Sequence, residues 1–202
     1  MSLAWLTEPV TQVWGMPLSW GDLSGFATGI ACVALTVRAH LWNFPMGILN
    51  SLILGVVFLD QRLFSDASLQ ILFVVLSIHG WVVWVRGGPA QDEVLPVVRA
   101  GRDEQIALVV VTALAWFALW RLMILVKGAA PPIDALITSL SLSAQWLLNR
   151  KRLDNWWWWI VVDGVSIPLY AYRGLPLIAL LYACFLAMCV SGWISWRKVL
   201  VR

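Results

Sequence analysis

The stretch DNWWWWIVVD, from Asp154 to Asp163, opens a hydrophobic segment that continues to about Tyr172. A helix that crosses a bilayer needs about 20 mostly apolar residues. Asp163 stands near the centre of this segment, where a carboxylate costs about 2.5–3.5 kcal/mol on insertion scales. An acid kept at that depth predicts a functional role, so the identity of the group that Asp163 faces becomes the main question.

The composition is that of a polytopic membrane protein. Of the 202 residues, 61% are hydrophobic and 12% are charged, whereas soluble domains average about 45–50% apolar and 25% charged residues. The mean hydropathy is +0.81. The net charge of +3 is too small to indicate a nucleic-acid partner. We therefore expect the lipid bilayer as the surroundings and no nucleic acid.

Hydropathy predicts an all-α fold of seven transmembrane helices. Residues 1–20 contain Pro9 and Pro17 and are interpreted as an interfacial segment that does not span the membrane. Helices five and six are short and polar enough that we expect a hydropathy window to miss one of them. The predicted helices cover about residues 22–38, 42–60, 65–84, 105–126, 133–148, 155–172 and 175–196.

The distribution of basic residues predicts the orientation of these helices. With seven spans, ten Lys and Arg residues share a side with the C-terminus and three lie on the other side. Cytoplasmic loops carry the excess of positive charge, so the N-terminus is expected outside and the C-terminus inside. The ten are Arg38, Arg86, Arg99, Arg102, Arg150, Lys151, Arg152, Arg197, Lys198 and Arg202, and the three are Arg62, Lys127 and Arg173.

The chain contains an internal repeat. GWVVW at residues 80–84 recurs as GWISW at residues 192–196, an offset of 112 residues, and Asn50 falls within one residue of Asp163 at nearly that offset. This predicts a 3+1+3 parallel repeat, an arrangement typical of transporters with a site near the midplane. The predicted divisions are 1–20 (interfacial segment), 21–86 (first three-helix bundle), 87–130 (loop and linker helix) and 131–202 (second bundle).

Polar residues at membrane depth predict a substrate site. Trp156, Trp159, Asp163 and Tyr170 follow helical spacings of three, four and seven, so they share one face. Aromatic rings flanking an acid suit a flat cationic or hydrogen-bonding ring. Asn50 would meet this face if the two bundles pack pseudo-symmetrically.

Other interpretations of these side chains remain open. Asp163 could instead pair with Arg121 or be a protonated, hydrogen-bonded acid. Gln70 and Gln145 carry amides that suit sugar hydroxyls, but such amides also join helices to one another. Trp157 and Trp158 lie off the Asp163 face, and an interfacial belt is the favoured interpretation for them.

The sequence carries no motif for catalysis. It lacks a nucleotide-binding loop, an HExxH metal pair and a nucleophile–base pair. We expect no enzyme activity, no cofactor and no metal.

Several blocks make the chain similar to the nicotinamide riboside transporters, the Pnu group of vitamin transporters. The resemblance covers almost the whole chain after about residue 18. Its specific parts are WNFPMGILN (42–50), LFSDASLQ (63–70), AQWLLNRKRLDNWWWWIVVD (144–163), the region of Tyr170 and the terminal GWISW (192–196).

This resemblance implies a fold related to the SWEET sugar transporters, with two three-helix bundles and a linker helix. It implies a multi-pass protein of the bacterial inner membrane, commonly a homotrimer. It also implies uptake of nicotinamide riboside by facilitated diffusion, with retention by a cytosolic kinase that feeds NAD biosynthesis.

Matched positions give the expected binding residues. Asn50, Gln70, Trp159 and Asp163 fall in blocks associated with the central cavity, with Gln145 and Tyr170 as neighbours; Trp156 joins them by its helical spacing. The acid at position 163 leaves thiamine, another cationic ring, as an alternative substrate, and neutral riboflavin fits it less well. A membrane receptor that binds such a ligand without moving it is a further alternative.

Overall fold

The structure of the protein is a computed structural model, which describes residues 3–13, 15–60, 64–87, 95–125 and 131–200. Within these ranges a short 3-10 helix and two strands precede seven α-helices. The strands are β1 (Pro9–Val13) and β2 (Met16–Ser19). The helices are α1 (Trp20–Val37), α2 (Asn43–Asp60), α3 (Phe64–Arg86), α4 (Arg102–Leu125), α5 (Pro131–Asn149), α6 (Asn155–Tyr172) and α7 (Pro176–Lys198).

The seven predicted helices are all present, and their bounds lie within a few residues of the predicted ones. Five of them, α1, α2, α3, α4 and α7, are long and apolar enough to cross a membrane. Hydropathy alone misses both α5 and α6, where we expected it to miss one of them, since the interiors of both carry the polar side chains discussed below. The multi-helix membrane fold is thus confirmed, whereas the 3+1+3 repeat, the domain divisions and the orientation of the termini stay predictions.

The N-terminal segment has more structure than the sequence suggested. β1 and β2 pair in an antiparallel hairpin, and Gly15 takes a left-handed φ of 77° at the turn, which glycine adopts without steric cost. Ser19 then caps α1: its hydroxyl accepts from the Asp22 amide at 3.1 Å, while the Asp22 carboxylate accepts from the Ser19 amide at 2.9 Å. This reciprocal cap fixes where the hairpin ends and the first membrane helix begins.

The chain divides into two compact units, and the first runs from Met1 to Val82. In it α1 lies close against α2 because glycines stand at the contact. A Cβ at Gly21 would collide with the Val57 side chain, and one at Gly25 would lie 2.8 Å from Leu54 Cδ2. Small residues of this kind let two membrane helices approach closely.

The second unit runs from Val83 to Arg202. Its four complete helices contact one another in chain order, α4 with α5, α5 with α6 and α6 with α7. Short hydroxyl side chains join α4 to α5, since Thr112 Oγ1 and Ser143 Oγ are 2.6 Å apart in a buried position. The α6–α7 hairpin is the most extensive contact and holds Asp163.

A segment that leads into the first turn of α4 holds the turn between α5 and α6. Leu153 N donates to the Val98 carbonyl at 2.9 Å, and Ala100 N donates to the Asp154 carboxylate at 2.7 Å. Glu104 forms ion pairs with Arg150 at 2.9 Å and with Arg152 at 3.0 Å. We call residues 95–104 the strap, because they hold the start of α6 in place.

A tryptophan cluster fills the same end of the second unit. Trp84 and Trp196, the matching positions of the predicted repeat, have ring centroids 5.9 Å apart. Trp84 Nε1 donates to the Leu148 carbonyl at 3.1 Å. The Lys151 ammonium lies 4.5 Å from the centre of the Trp84 ring. Burial lowers the pKa of Lys151 below its usual value of 10.5.

Candidate functional site

The candidate site is a polar stripe along the contact between α6 and α7. Asp163, Ser166 and Tyr170 share one face of α6 by their spacing of three and seven. Asp163 is 3% exposed. The Cys189 thiol of α7 donates to Asp163 Oδ2 at 3.4 Å. A thiol is a weak donor, and a carboxylate has about four acceptor positions, so Asp163 can accept a stronger donor here.

Two stacked tyrosines border this acid. The rings of Tyr170 on α6 and Tyr182 on α7 are 5.2 Å apart between centroids and 12° from parallel. Tyr182 also interacts electrostatically with Asp163 and through a hydrogen bond with Ser166. The sequence interpretation missed Tyr182; the available signal was its spacing of seven residues from Cys189, which puts both on one face of α7. The stripe therefore combines one acid with a flat aromatic surface.

The four consecutive tryptophans divide by burial. Trp156 is 1% exposed and meets Trp196 edge-on at 5.4 Å. Its ring also occupies the space that a side chain at Gly192 would need. Trp159 and Trp158 are half-buried, whereas Trp157 is 53% exposed. Of the two tryptophans predicted to line a cavity, Trp159 thus has accessible surface, and Trp156 is held in the interior.

Gln145 lies on α5 in the same unit. Its Nε2 donates to Asn149 Oδ1 at 3.0 Å, and both side chains are buried. The alternative pairing of Asp163 with Arg121 is not formed: Arg121 is exposed on α4, and the ion pairs of the described residues involve Glu104 and Asp134 as their acids.

The remaining predicted residues belong to the first unit. Asn50 Nδ2 donates to the Gly25 carbonyl at 2.7 Å and to Thr28 Oγ1 at 2.9 Å. Both amide hydrogens are thereby used between α2 and α1, which leaves the Asn50 carbonyl oxygen to accept. Gln70 is half-buried on α3, with its Cβ close to Gly55 of α2.

The stripe ends in a pair of charged residues beside the turn that follows α6. Arg173, in the turn after α6, pairs with Asp134 of α5 at 2.8 Å, and its guanidinium lies 5.9 Å from the centre of the Tyr170 ring. Across the described ranges no group of three or more His, Cys, Asp or Glu side chains could hold a metal ion. The groups that the stripe offers for binding are one carboxylate, hydroxyls and stacked rings.

Known proteins share this sequence pattern over nearly the whole chain. A family model described as nicotinamide mononucleotide transporter matches residues 19–198. The nicotinamide riboside transporter PnuC of Escherichia coli is 24% identical over 208 residues, covering 90% of this chain and 87% of the relative. PnuC of Neisseria mucosa is 27% identical over 199 residues, covering 92% of this chain and 75% of the relative.

Two further comparisons concern substrate and fold. The riboflavin/roseoflavin transporter RibM of Streptomyces davaonensis is 26% identical over 195 residues, covering 95% of this chain and 91% of the relative. A crystal structure of the vitamin B3 transporter PnuC superposes with a TM-score of 0.72 at 23% identity, covering 89% of this chain and 81% of that one. The resemblance predicted from the sequence is confirmed, and the chain belongs to the nicotinamide mononucleotide transporter family of membrane transporters.

Proposed function

We propose that this protein carries nicotinamide riboside across the bacterial inner membrane by facilitated diffusion. The observation that carries the proposal is Asp163, an acid buried in α6 beside the stacked rings of Tyr170 and Tyr182. Nicotinamide riboside is a flat cationic ring joined to a sugar. The named activity of the PnuC relatives supports the same substrate.

The cationic ring would bind along the α6–α7 stripe. Asp163 supplies the opposite charge, and its partner Cys189 is a weak donor that a charged or hydroxyl-bearing ligand displaces at little cost. Trp159 and Tyr170 offer aromatic faces to the ring. Trp156 is enclosed in this conformation, so it reaches the substrate only when the helices part.

The ribose would be held by amides. Gln145 is buried on α5 and donates a hydrogen bond to Asn149 Oδ1, and the hydroxyls of a sugar can join this pair. Asn50 and Gln70 complete the set if the two bundles converge at the midplane. Since the Asn50 amide hydrogens are already used, Asn50 acts as an acceptor for a ribose hydroxyl.

Transport would proceed by rocking of the two three-helix bundles, with α4 as the linker. We place the N-terminus outside and the C-terminus inside, on the ten-to-three distribution of basic residues. The homotrimer implied by the resemblance is part of the same proposal.

A binding series tests the substrate. Purified protein is titrated calorimetrically with nicotinamide riboside, thiamine and riboflavin. We expect nicotinamide riboside to bind most tightly, and neutral riboflavin, the substrate named for RibM, to bind at least tenfold more weakly, about 1.4 kcal/mol. Tighter binding of either other vitamin overturns the choice of substrate and leaves the family membership intact.

A further inference from the structure

A groove lies at the C-terminal end of α7. Trp193, Ile194, Arg197 and Lys198 line it, and its volume is about 310 Å³. The helix has 23 residues, so it is about 34 Å long at 1.5 Å per residue. A bilayer has a hydrocarbon core of about 30 Å. A helix of this length that spans the core places its charged last turn, with Arg197 and Lys198, at the level of the lipid headgroups.

The protein itself holds the Arg197 side chain of this groove in position. The Arg197 guanidinium lies over the Trp193 ring, 5.1 Å from its centroid. Trp193 is in turn packed edge-on against Trp157, with centroids 5.6 Å apart. Lys198 follows directly and is exposed. In the described part of the chain the three ion pairs lie elsewhere, so both cations can bind an external anion.

Two simpler effects explain the presence of basic residues here but do not explain the groove. Basic residues at a helix C-terminus complement the helix dipole, and the positive-inside rule favours them on one side. Either effect is satisfied by side chains that extend freely into water. Neither requires a guanidinium stacked on a fixed tryptophan beside an apolar wall.

We propose that this groove binds an anionic phospholipid. Its phosphate would lie between Arg197 and Lys198, and its glycerol and upper acyl carbons would lie against Trp193 and Ile194. The apolar wall favours a lipid over free phosphate. This site is separate from the α6–α7 stripe and does not depend on which vitamin the protein carries.

The experiment measures lipid retention by native mass spectrometry. Wild type, the double variant Arg197→Gln/Lys198→Gln and a control double variant Arg38→Gln/Arg102→Gln are presented with phosphatidylglycerol or phosphatidylcholine. The control removes two exposed basic residues at other helix ends. Each cation near an anionic surface is worth about fivefold in affinity, so the Arg197/Lys198 variant should bind phosphatidylglycerol about thirtyfold more weakly than wild type. The control should retain it.

A second variant tests the stacked geometry. Trp193→Leu keeps an apolar wall and both cations but removes the surface under the guanidinium, and we expect weaker retention of phosphatidylglycerol with no change for phosphatidylcholine. Inorganic phosphate should not displace the lipid. Three results would each overturn the lipid site. The Arg197/Lys198 variant and the control variant could lose phosphatidylglycerol equally, or the Arg197/Lys198 variant could retain it like wild type. Displacement of the lipid by inorganic phosphate would be the third.

Discussion

In the proposed function, Asp163 is the residue on which substrate choice depends. Asp163→Asn keeps the size of the side chain and can still accept from Cys189, but it removes the charge. We expect the affinity for cationic nicotinamide riboside to fall at least tenfold, about 1.4 kcal/mol, with membrane insertion unchanged. Calorimetric titration of the purified variant measures this.

The control for this variant is an acid outside the stripe. Asp103→Asn removes a charge from the exposed first turn of α4 and should bind like wild type. If Asp163→Asn also binds like wild type, Asp163 does not contact the substrate.

Gly192 is required by the packing of Trp156. Gly192→Ala places a methyl group against a ring that is 1% exposed and held by Trp196. Overpacking of this kind costs about 1–3 kcal/mol, so the Tm of the purified protein should fall. Gly164→Ala in α6 meets open space and should be neutral or stabilising, since alanine favours helices by about 1 kcal/mol over glycine. Equal effects of the two changes would refute the steric explanation.

At the scale of helix pairs, Asn50 joins α2 to α1. Asn50→Leu removes two hydrogen bonds, each worth about 0.6 kcal/mol between membrane helices. A loss of about 1 kcal/mol should be visible as a lower Tm in the absence of substrate. Leu49→Ala on the exposed face of α2 serves as the control. An unchanged Tm for Asn50→Leu would show that these bonds contribute nothing to stability.

The strap and the tryptophan cluster enclose Lys151, which gives a pH prediction. Because burial lowers the pKa of Lys151 in the folded protein, the folded state loses this proton at a lower pH than the unfolded state does. Wild-type stability relative to Lys151→Met should therefore rise as pH increases through the lowered pKa towards 10.5, and be constant below it. Thermal unfolding of both proteins across this range is the measurement, and a difference that stays flat throughout would contradict the burial of a titrating Lys151.

The sequence predicted the positions of the helices more accurately than the side-chain contacts between them. Apolar segments bounded by charged, Pro or Gly turns were sufficient to locate the helices, including α5 and α6. Helical spacing was sufficient to put Asp163 and Tyr170 on one face. The sequence could not show that Trp156 is buried and Trp159 is accessible, because both lie on that face. Their burial depends on which of them packs against Trp196 and Gly192 of α7. Tyr182 and Cys189 were missed for the same reason: their importance comes from the α6–α7 contact, which helical spacing alone does not reveal.

For the whole molecule, the family membership makes transport the expected activity, and the proposed mechanism makes it passive. A facilitated carrier needs no ion gradient, since the substrate moves down its own gradient until the two sides are equal. A receptor with the same binding stripe would hold the vitamin without releasing it on the other side.

Uptake into liposomes tests this account most directly. Purified protein is reconstituted into vesicles, labelled nicotinamide riboside is added outside, and no proton or sodium gradient is imposed. We predict uptake that stops when the internal and external concentrations are equal. The Asp163→Asn variant should take up substrate more slowly at concentrations below saturation. Protein-free vesicles should show no uptake. Binding without uptake, or uptake that requires an imposed gradient, would contradict the account.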